Sequence, residues 1–406
     1  MAFQHRRQSS YEGVLDLPGR AHVPLQSHHC HQAFFEGLIN YSSLAPLTVD
    51  ERSRAQGALD RIINHLANHS GTKGGYTRHL LVRHTYDYSQ SELSKDTFLR
   101  VFFNVMGLDI SSDEDINMDD DQMPSKFIDF ADVLLEQFFF PLKAGGKITP
   151  QPSPAHLSAI QSVQSPHEIV GTSERVSYIR ALCLIRDHHR CVISRAFDSQ
   201  QAITRMMQHG SNARDDDGKL FEDNEILRFL EVAHIIPHSL VQGNENSELS
   251  DTKKMTLMIL NMLDCDVIHL IEGTHIDSPR NAISLTIDFH KYFGNFDIYF
   301  EPIANQEHTY RIDSFLPPIF TASLGLPVTR KLLLSGGRVM DAPLPKLLAL
   351  HQAIAHILHL SGAGEYIDRI LRDFEETGVQ EDGSTDLGRI VNLRLGGWLD
   401  GAVEAH

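Results

Sequence analysis

Apolar residues recur at helical spacing over residues 48–69, where Ala55, Leu59, Ile62, Ile63 and Leu66 share one face. Asp50 stands where a cap is needed and Gly71 where a stop is needed. The same period predicts helices over 91–106, 126–142 and 173–188. The pattern then changes to short β-type runs between polar loops, at 191–194, 229–236, 282–286, 298–303 and 310–315. Two further helices are predicted over 344–360, with Leu347, Leu350, Ile354, Ile357 and Leu358 on one face, and over 365–376. His351, His356 and His359 lie on or beside that face and read as core-edge or surface histidines. The fold class this predicts is α+β. Its expected divisions are an extended or partly ordered arm at 1–47, a helical region at 48–143, a linker at 144–165 rich in Gly, Pro and Ser, a mixed domain at 171–315 and a helical extension at 316–406.

The 406 residues carry 36 Lys and Arg against 53 Asp and Glu, a formal charge of −17, so the molecule as a whole repels polyanions and nucleic-acid contact must be local. Cys30, Cys183, Cys191 and Cys265 form no CxxC pair, which argues against a zinc knuckle or a secreted disulfide framework and predicts an intracellular setting, cytoplasm or nucleus. No apolar run follows the opening MAFQHRRQSS and none is long enough to span a bilayer, so neither a signal peptide nor a membrane segment is expected. The tract His28, His29, Cys30, His31 reads as a solvated part of the arm, because adjacent ligands cannot all face one ion. The acidic stretch from Asp113 to Asp121 fails as a calcium loop: the turn position that needs Gly is Met118, and the position that needs a bidentate Glu is Pro124.

Zinc-protease, nucleophile-elbow, Walker and dinucleotide signatures are absent. Four pieces occur in order instead: Arg186-Asp187-His188-His189-Arg190-Cys191-Val192-Ile193-Ser194, Leu230-Glu231-Val232-Ala233-His234-Ile235-Ile236-Pro237, Asn281-Ala282-Ile283-Ser284-Leu285 and Phe289-His290-Lys291-Tyr292-Phe293. Together they resemble the HNH, or ββα-metal, endonuclease family, in the branch with an Ala-His-Ile-x-Pro strand end that is common in fungal proteins. The resemblance covers about residues 175–305. It implies a ββα-metal nuclease-like core in which His234 ends one strand, Asn281 begins the next and His290 lies on the following helix. It also implies metal-dependent hydrolysis of phosphodiester bonds in nucleic acid, with His234 as general base, Asn281 bracing the loop and His290 holding a divalent metal, magnesium or zinc. The chemistry suits these residue types. An imidazole that titrates near neutrality can take a proton from the attacking water, and a cation can neutralise the departing oxyanion.

Two departures from the family pattern stand out. Many active members carry Asp or His before the base as a second metal ligand, whereas this chain has Ala233, whose methyl group cannot ligate. Glu231 and Asp288 are the expected substitutes beside His290, with His238 a further candidate. Arg195 stands where the branch often has Gly, which leaves the shape of that turn open. Residues 171–310 hold 13 Lys and Arg against 21 Asp and Glu, a net of −8, yet Arg175, Arg180, Arg186, Arg190 and Arg195 are offset only by Asp187 over 175–195. That local stripe is the expected nucleic-acid contact. The alternative is a helix face paired with the acidic insert between Ser194 and Phe229, which would act as a lid or autoinhibitor if it folds over the arginines. Two functions remain open: an active endonuclease, and a catalytically degenerate HNH scaffold with a binding or regulatory role alongside a metabolic pathway, whose partner protein meets the helical flanks.

Overall fold

Helix α1 (Val49–Leu66) begins at a reciprocal cap: the Thr48 hydroxyl accepts from the Glu51 N–H at 3.3 Å, and the Glu51 carboxylate accepts from the Thr48 N–H at 2.8 Å. This corrects the expected cap at Asp50, which sits one residue inside the helix. The computed structural model describes residues 45–67, 72–73, 75–112, 116–146, 172–240, 251–332 and 341–377. The expected stop at Gly71, the histidine tract of the arm, Asp113 to Asp115, the 147–165 part of the linker, the Arg175 side chain and residues 378–406 lie outside what is described. The chain divides into Met1–Gly37 and Leu38–His406, and every described residue belongs to the second unit.

Three more helices build the N-terminal part: α2 (Arg78–Asp87), α3 (Glu92–Met106) and α4 (Met123–Leu134), the last running through one π turn (Leu135–Phe139) into α5 (Phe140–Gly146). Ser91 caps α3 by accepting from the Ser94 N–H, and Gly107 ends it at φ +71°. Phe98, Phe102, Phe127 and Phe130 are fully buried between α3 and α4 in edge-to-face pairs, each side chain stabilising by about 2 kcal/mol.

Helix α6 (Thr172–Arg186) stops short of the expected 188 because His188 and His189 adopt left-handed φ values of 55° and 50°. The run 191–194, expected as a strand, is a turn instead. The Cys191 N–H reaches back to the Ala196 carbonyl at 2.9 Å, and Arg195 reverses the chain at φ +65°. Glycine occupies that region without steric cost, which accounts physically for the Gly of the related pattern; here an arginine bears the strain. Next come α7 (Ser199–His209), capped by Asp198, then strand β1 (Leu230–His234) and α8 (Asp251–Leu263).

Strand β2 (Ala282–Thr286) pairs antiparallel with β1, setting Leu230 opposite Thr286 and His234 opposite Ala282. Helix α9 (Ile287–Gly294) follows directly, capped by the Thr286 hydroxyl. Strands β3 (Ile298–Pro302), β4 (Thr309–Ser314) and β5 (Val328–Lys331) form an antiparallel sheet in chain order, and α10 (Pro345–Ser361) and α11 (Ala363–Thr377) close the described chain. Mixed helices and small sheets make the fold α+β. No helix among the described residues is long and apolar enough to cross a membrane.

Helices from both ends of the chain hold α9 in place. Helix α10 packs on α2 and β3, and its His351 stacks on Phe293 at 3.9 Å while its Nε2–H donates to the Phe293 carbonyl at 3.1 Å. From α5, buried Lys143 donates to the Asn295 carbonyl at 2.9 Å, serving the last turn of α9 as a cation should. Gly146 lies so close to the Gly294 carbonyl that an added Cβ would meet it at 2.7 Å. Helix α8 packs against α3, where the Gln90 N–H donates to the Leu263 carbonyl at 2.7 Å.

Candidate functional site

Strands β1 and β2 and helix α9 set Glu231 against His290 where β2 runs into α9, and His234 beside Asn281 at the other end of the hairpin. Asn281, fully buried just before β2, binds the loop after β1 with its whole side chain: Oδ1 accepts from the Ile236 N–H at 2.9 Å, and Nδ2 donates to the Ile236 carbonyl at 2.9 Å and to the Ile276 carbonyl at 3.0 Å. Its own carbonyl accepts from the Ile235 N–H at 2.8 Å, so the residues that follow His234 are held from both sides. On α9, buried His290 directs Nδ1 at the Glu231 carboxylate of β1, 2.6 Å away. The hydrogen bond from His290 is the main reason the Glu231 carboxyl lies below its usual range, so Glu231 is the ionised acceptor and His290 Nδ1 carries the proton. Asp288 is exposed in the first turn of α9.

His234 has different neighbours. Its Nε2 stands 3.3 Å from Asp277 Oδ1, and His238 Nδ1 stands 2.7 Å from the same oxygen. Burial pushes the His234 pKa below its ordinary value; Asp277 opposes this, and the nearby His238 and His290 rings add to it. Burial alone would raise the Asp277 carboxyl, but its two imidazole partners outweigh that and hold it far below the usual range. Asp277 was missed in the sequence. It lies four residues before Asn281 in a stretch of tight turns, with no periodicity or motif to mark it.

The arginines of the expected stripe are engaged with the protein itself. Arg186 is fully buried; it forks onto Asp187 at 2.8 Å through both Nε and Nη2 and donates to the Pro279 and Ala282 carbonyls at 2.6 and 2.9 Å. Those carbonyls flank Asn281, so the Arg-Asp pair positions the segment that carries it, and no phosphate reaches Arg186 in this conformation. Arg180 donates to the Leu230 carbonyl at 2.8 Å, and Arg195 to the Lys331 carbonyl at 2.5 Å. Arg190 bridges Asp215 and Glu225 of the insert, each at 2.8 Å. Asp216 pairs with His189 and Arg205, and Asp217 with His188, all at 2.9 Å. Among the stripe arginines described, the acidic insert therefore engages Arg190 alone, together with the neighbouring His188, His189 and Arg205.

Residues 191–301 match a family model described as HNH endonuclease. The match spans the turn after α6, the insert, the hairpin and α9. No curated protein and no solved structure matches the chain.

Proposed function

From the match of residues 191–301 to a family model described as HNH endonuclease, we propose that the chain is a metal-dependent endonuclease hydrolysing phosphodiester bonds in nucleic acid. The observation that carries this reading is that one strand, β1, bears both His234, ahead of the loop clamped by Asn281, and Glu231, the partner of His290 on α9. The succession β1, β2, α9 supports a ββα-metal core.

Two imidazoles divide proton transfer and cation binding between them. Burial keeps His234 neutral near pH 7, the state either task requires. Glu231 fixes the His290 ring through Nδ1 and so presents Nε2 for chemistry. Asn281 fixes the backbone that aims His234, which matters because a reacting group displaced by about 1 Å loses much of its rate advantage. The donors that fit a divalent cation are imidazoles and carboxylates: His290 with Glu231, and His234 with His238 and Asp277. A cation bound there supplies charge to the scissile phosphate and the leaving oxygen. Nitrogen-rich sets of this kind suit zinc or nickel better than magnesium.

The test is nicking of supercoiled plasmid by the full chain with magnesium, manganese, zinc or nickel, beside a His234→Ala control. Metal-dependent nicking that falls by about a hundredfold or more in the control is expected. Nicking that survives the substitution would trace to a contaminant, and no nicking with any metal would overturn the reading. A second reading, a regulatory or binding scaffold of the same fold, is favoured by Ala233 and by the insert that neutralises Arg190.

A further inference from the structure

Three donors at the end of β1 form a set that differs from the expected ligands His290, Glu231 and Asp288. The ligand atoms of His234, His238 and Asp277 all lie within 4.8 Å of one another. Two donors held at roughly 2.0–2.2 Å by one tetrahedral cation stand roughly 3.3–3.6 Å apart. The 3.3 Å from His234 Nε2 to Asp277 Oδ1 already fits, and the 2.7 Å from His238 Nδ1 is a hydrogen bond that opens once the proton shifts to Nε2. The backbones that present these groups are tied together. His234 ends β1, His238 follows in the turn His238–Leu240, and Asp277 precedes Asn281, whose side chain binds both Ile236 and Ile276.

A second observation points to a ligand. His234 Nε2 is buried, on a residue only 8 % exposed, and among the described residues it has nothing closer than its 3.3 Å approach to Asp277 Oδ1. Buried ring nitrogens ordinarily have well-made partners, so one held this loosely against a carboxylate, beside a second imidazole, makes a position that a cation completes. The other set is poorer. His290 and Glu231 are two donors already satisfied by each other, and Asp288 faces solvent.

We infer that His234, His238 and Asp277 bind a divalent transition metal, zinc being the best match to two imidazoles and one carboxylate. Such a trio leaves a fourth position for water or a phosphate oxygen, and ligation through His238 Nδ1 moves that ring's proton to Nε2. Ala233 is then no missing ligand, because the cation sits at the strand end rather than beneath it. On the hydrolase reading, the His290–Glu231 pair is left to move protons; the metal site itself does not depend on that reading.

The experiment strips the purified full chain with chelator, titrates it with zinc, measures bound metal by mass spectrometry and repeats the binding with cobalt to read its absorption bands. About one zinc per chain is expected, with affinity lowered about 10–100-fold in Asp277→Asn and in His238→Asn, and unchanged in His290→Gln and Glu231→Gln. The cobalt bands should change with the first pair of variants alone. Melting of each metal-free variant checks folding, and His238→Asn, on a short turn, keeps the test open if Asp277→Asn does not fold. The inference falls if the wild type binds no stoichiometric zinc or cobalt, or if affinity is lost with His290→Gln and Glu231→Gln but survives Asp277→Asn. Zinc binding of the expected pattern without plasmid nicking upholds this site and sinks the endonuclease proposal. Nicking without stoichiometric transition metal does the opposite.

Discussion

Asn281 and Ile236 hold each other through both ends of one amide, an N–H to Oδ1 and an Nδ2–H to carbonyl bond of 2.9 Å each. With the third bond to Ile276, this side chain joins the two loops that carry His238 and Asp277. Asn281→Ala should cost about 2–4 kcal/mol in urea denaturation, since it leaves buried backbone groups without partners. Asn281→Asp keeps the acceptor but turns the donor toward two carbonyls into a second acceptor, so an equal or larger loss is expected. A midpoint unchanged by both substitutions would show that the clamp contributes nothing.

The His351 imidazole, buried against Phe293 and Phe296, is pushed down to about 3 by that burial. In the unfolded chain the same group titrates near 6.5, so as pH falls the unfolded state takes up the proton first. Stability from this group is complete above about pH 6.5 and is lost as pH drops toward 3, by about 2 kcal/mol at pH 5. Burial of His234 adds a slope of the same sign. Comparing urea midpoints at pH 7 and 5, His351→Leu should lose most of the pH dependence that the wild type shows.

Neutralising the insert should free the basic groups it covers. The change Asp215→Asn, Asp216→Asn, Asp217→Asn and Glu225→Gln removes the carboxylates of the insert that engage Arg190, His189, Arg205 and His188. DNA affinity by fluorescence anisotropy should rise severalfold at low salt, with a steeper fall as salt increases, and deletion of 211–225 should act in the same direction. Unaltered affinity would assign these ion pairs to the fold alone.

Ala233→Asp distinguishes a lost ligand from a relocated one. Ala233 is buried, so its replacement by a carboxylate should destabilise the metal-free chain by about 1–3 kcal/mol in thermal or urea melts. With the cation on His234, His238 and Asp277, nicking should not improve. A large gain under magnesium would show that the natural site lacks only a ligand at that position.

The parts of this site that follow a local rule were legible in the sequence, and the parts made by distant backbone were not. Strand 282–286 was expected with its observed bounds, and the short step from Asn281 to His290 left room for one strand and a helix start. Glu231 was named beside His290, though as a co-ligand rather than as a hydrogen-bond acceptor. The run 191–194 has strand-like composition, but an arginine in the left-handed region turns it, and nothing local to Arg195 announces that. Arg186 looked like surface charge because a sequence does not show that the Pro279 and Ala282 carbonyls need a donor. Asp277 joins His234 only after the chain has passed through α8 and a series of tight turns.

His351 lies far beyond the end of the matched stretch, yet it is pressed against the ring of Phe293 on the helix that bears His290. A fragment trimmed to residues 191–301 would leave behind its own keel, together with Lys143. Whoever wishes to transplant this domain must carry cargo from both ends of the polypeptide.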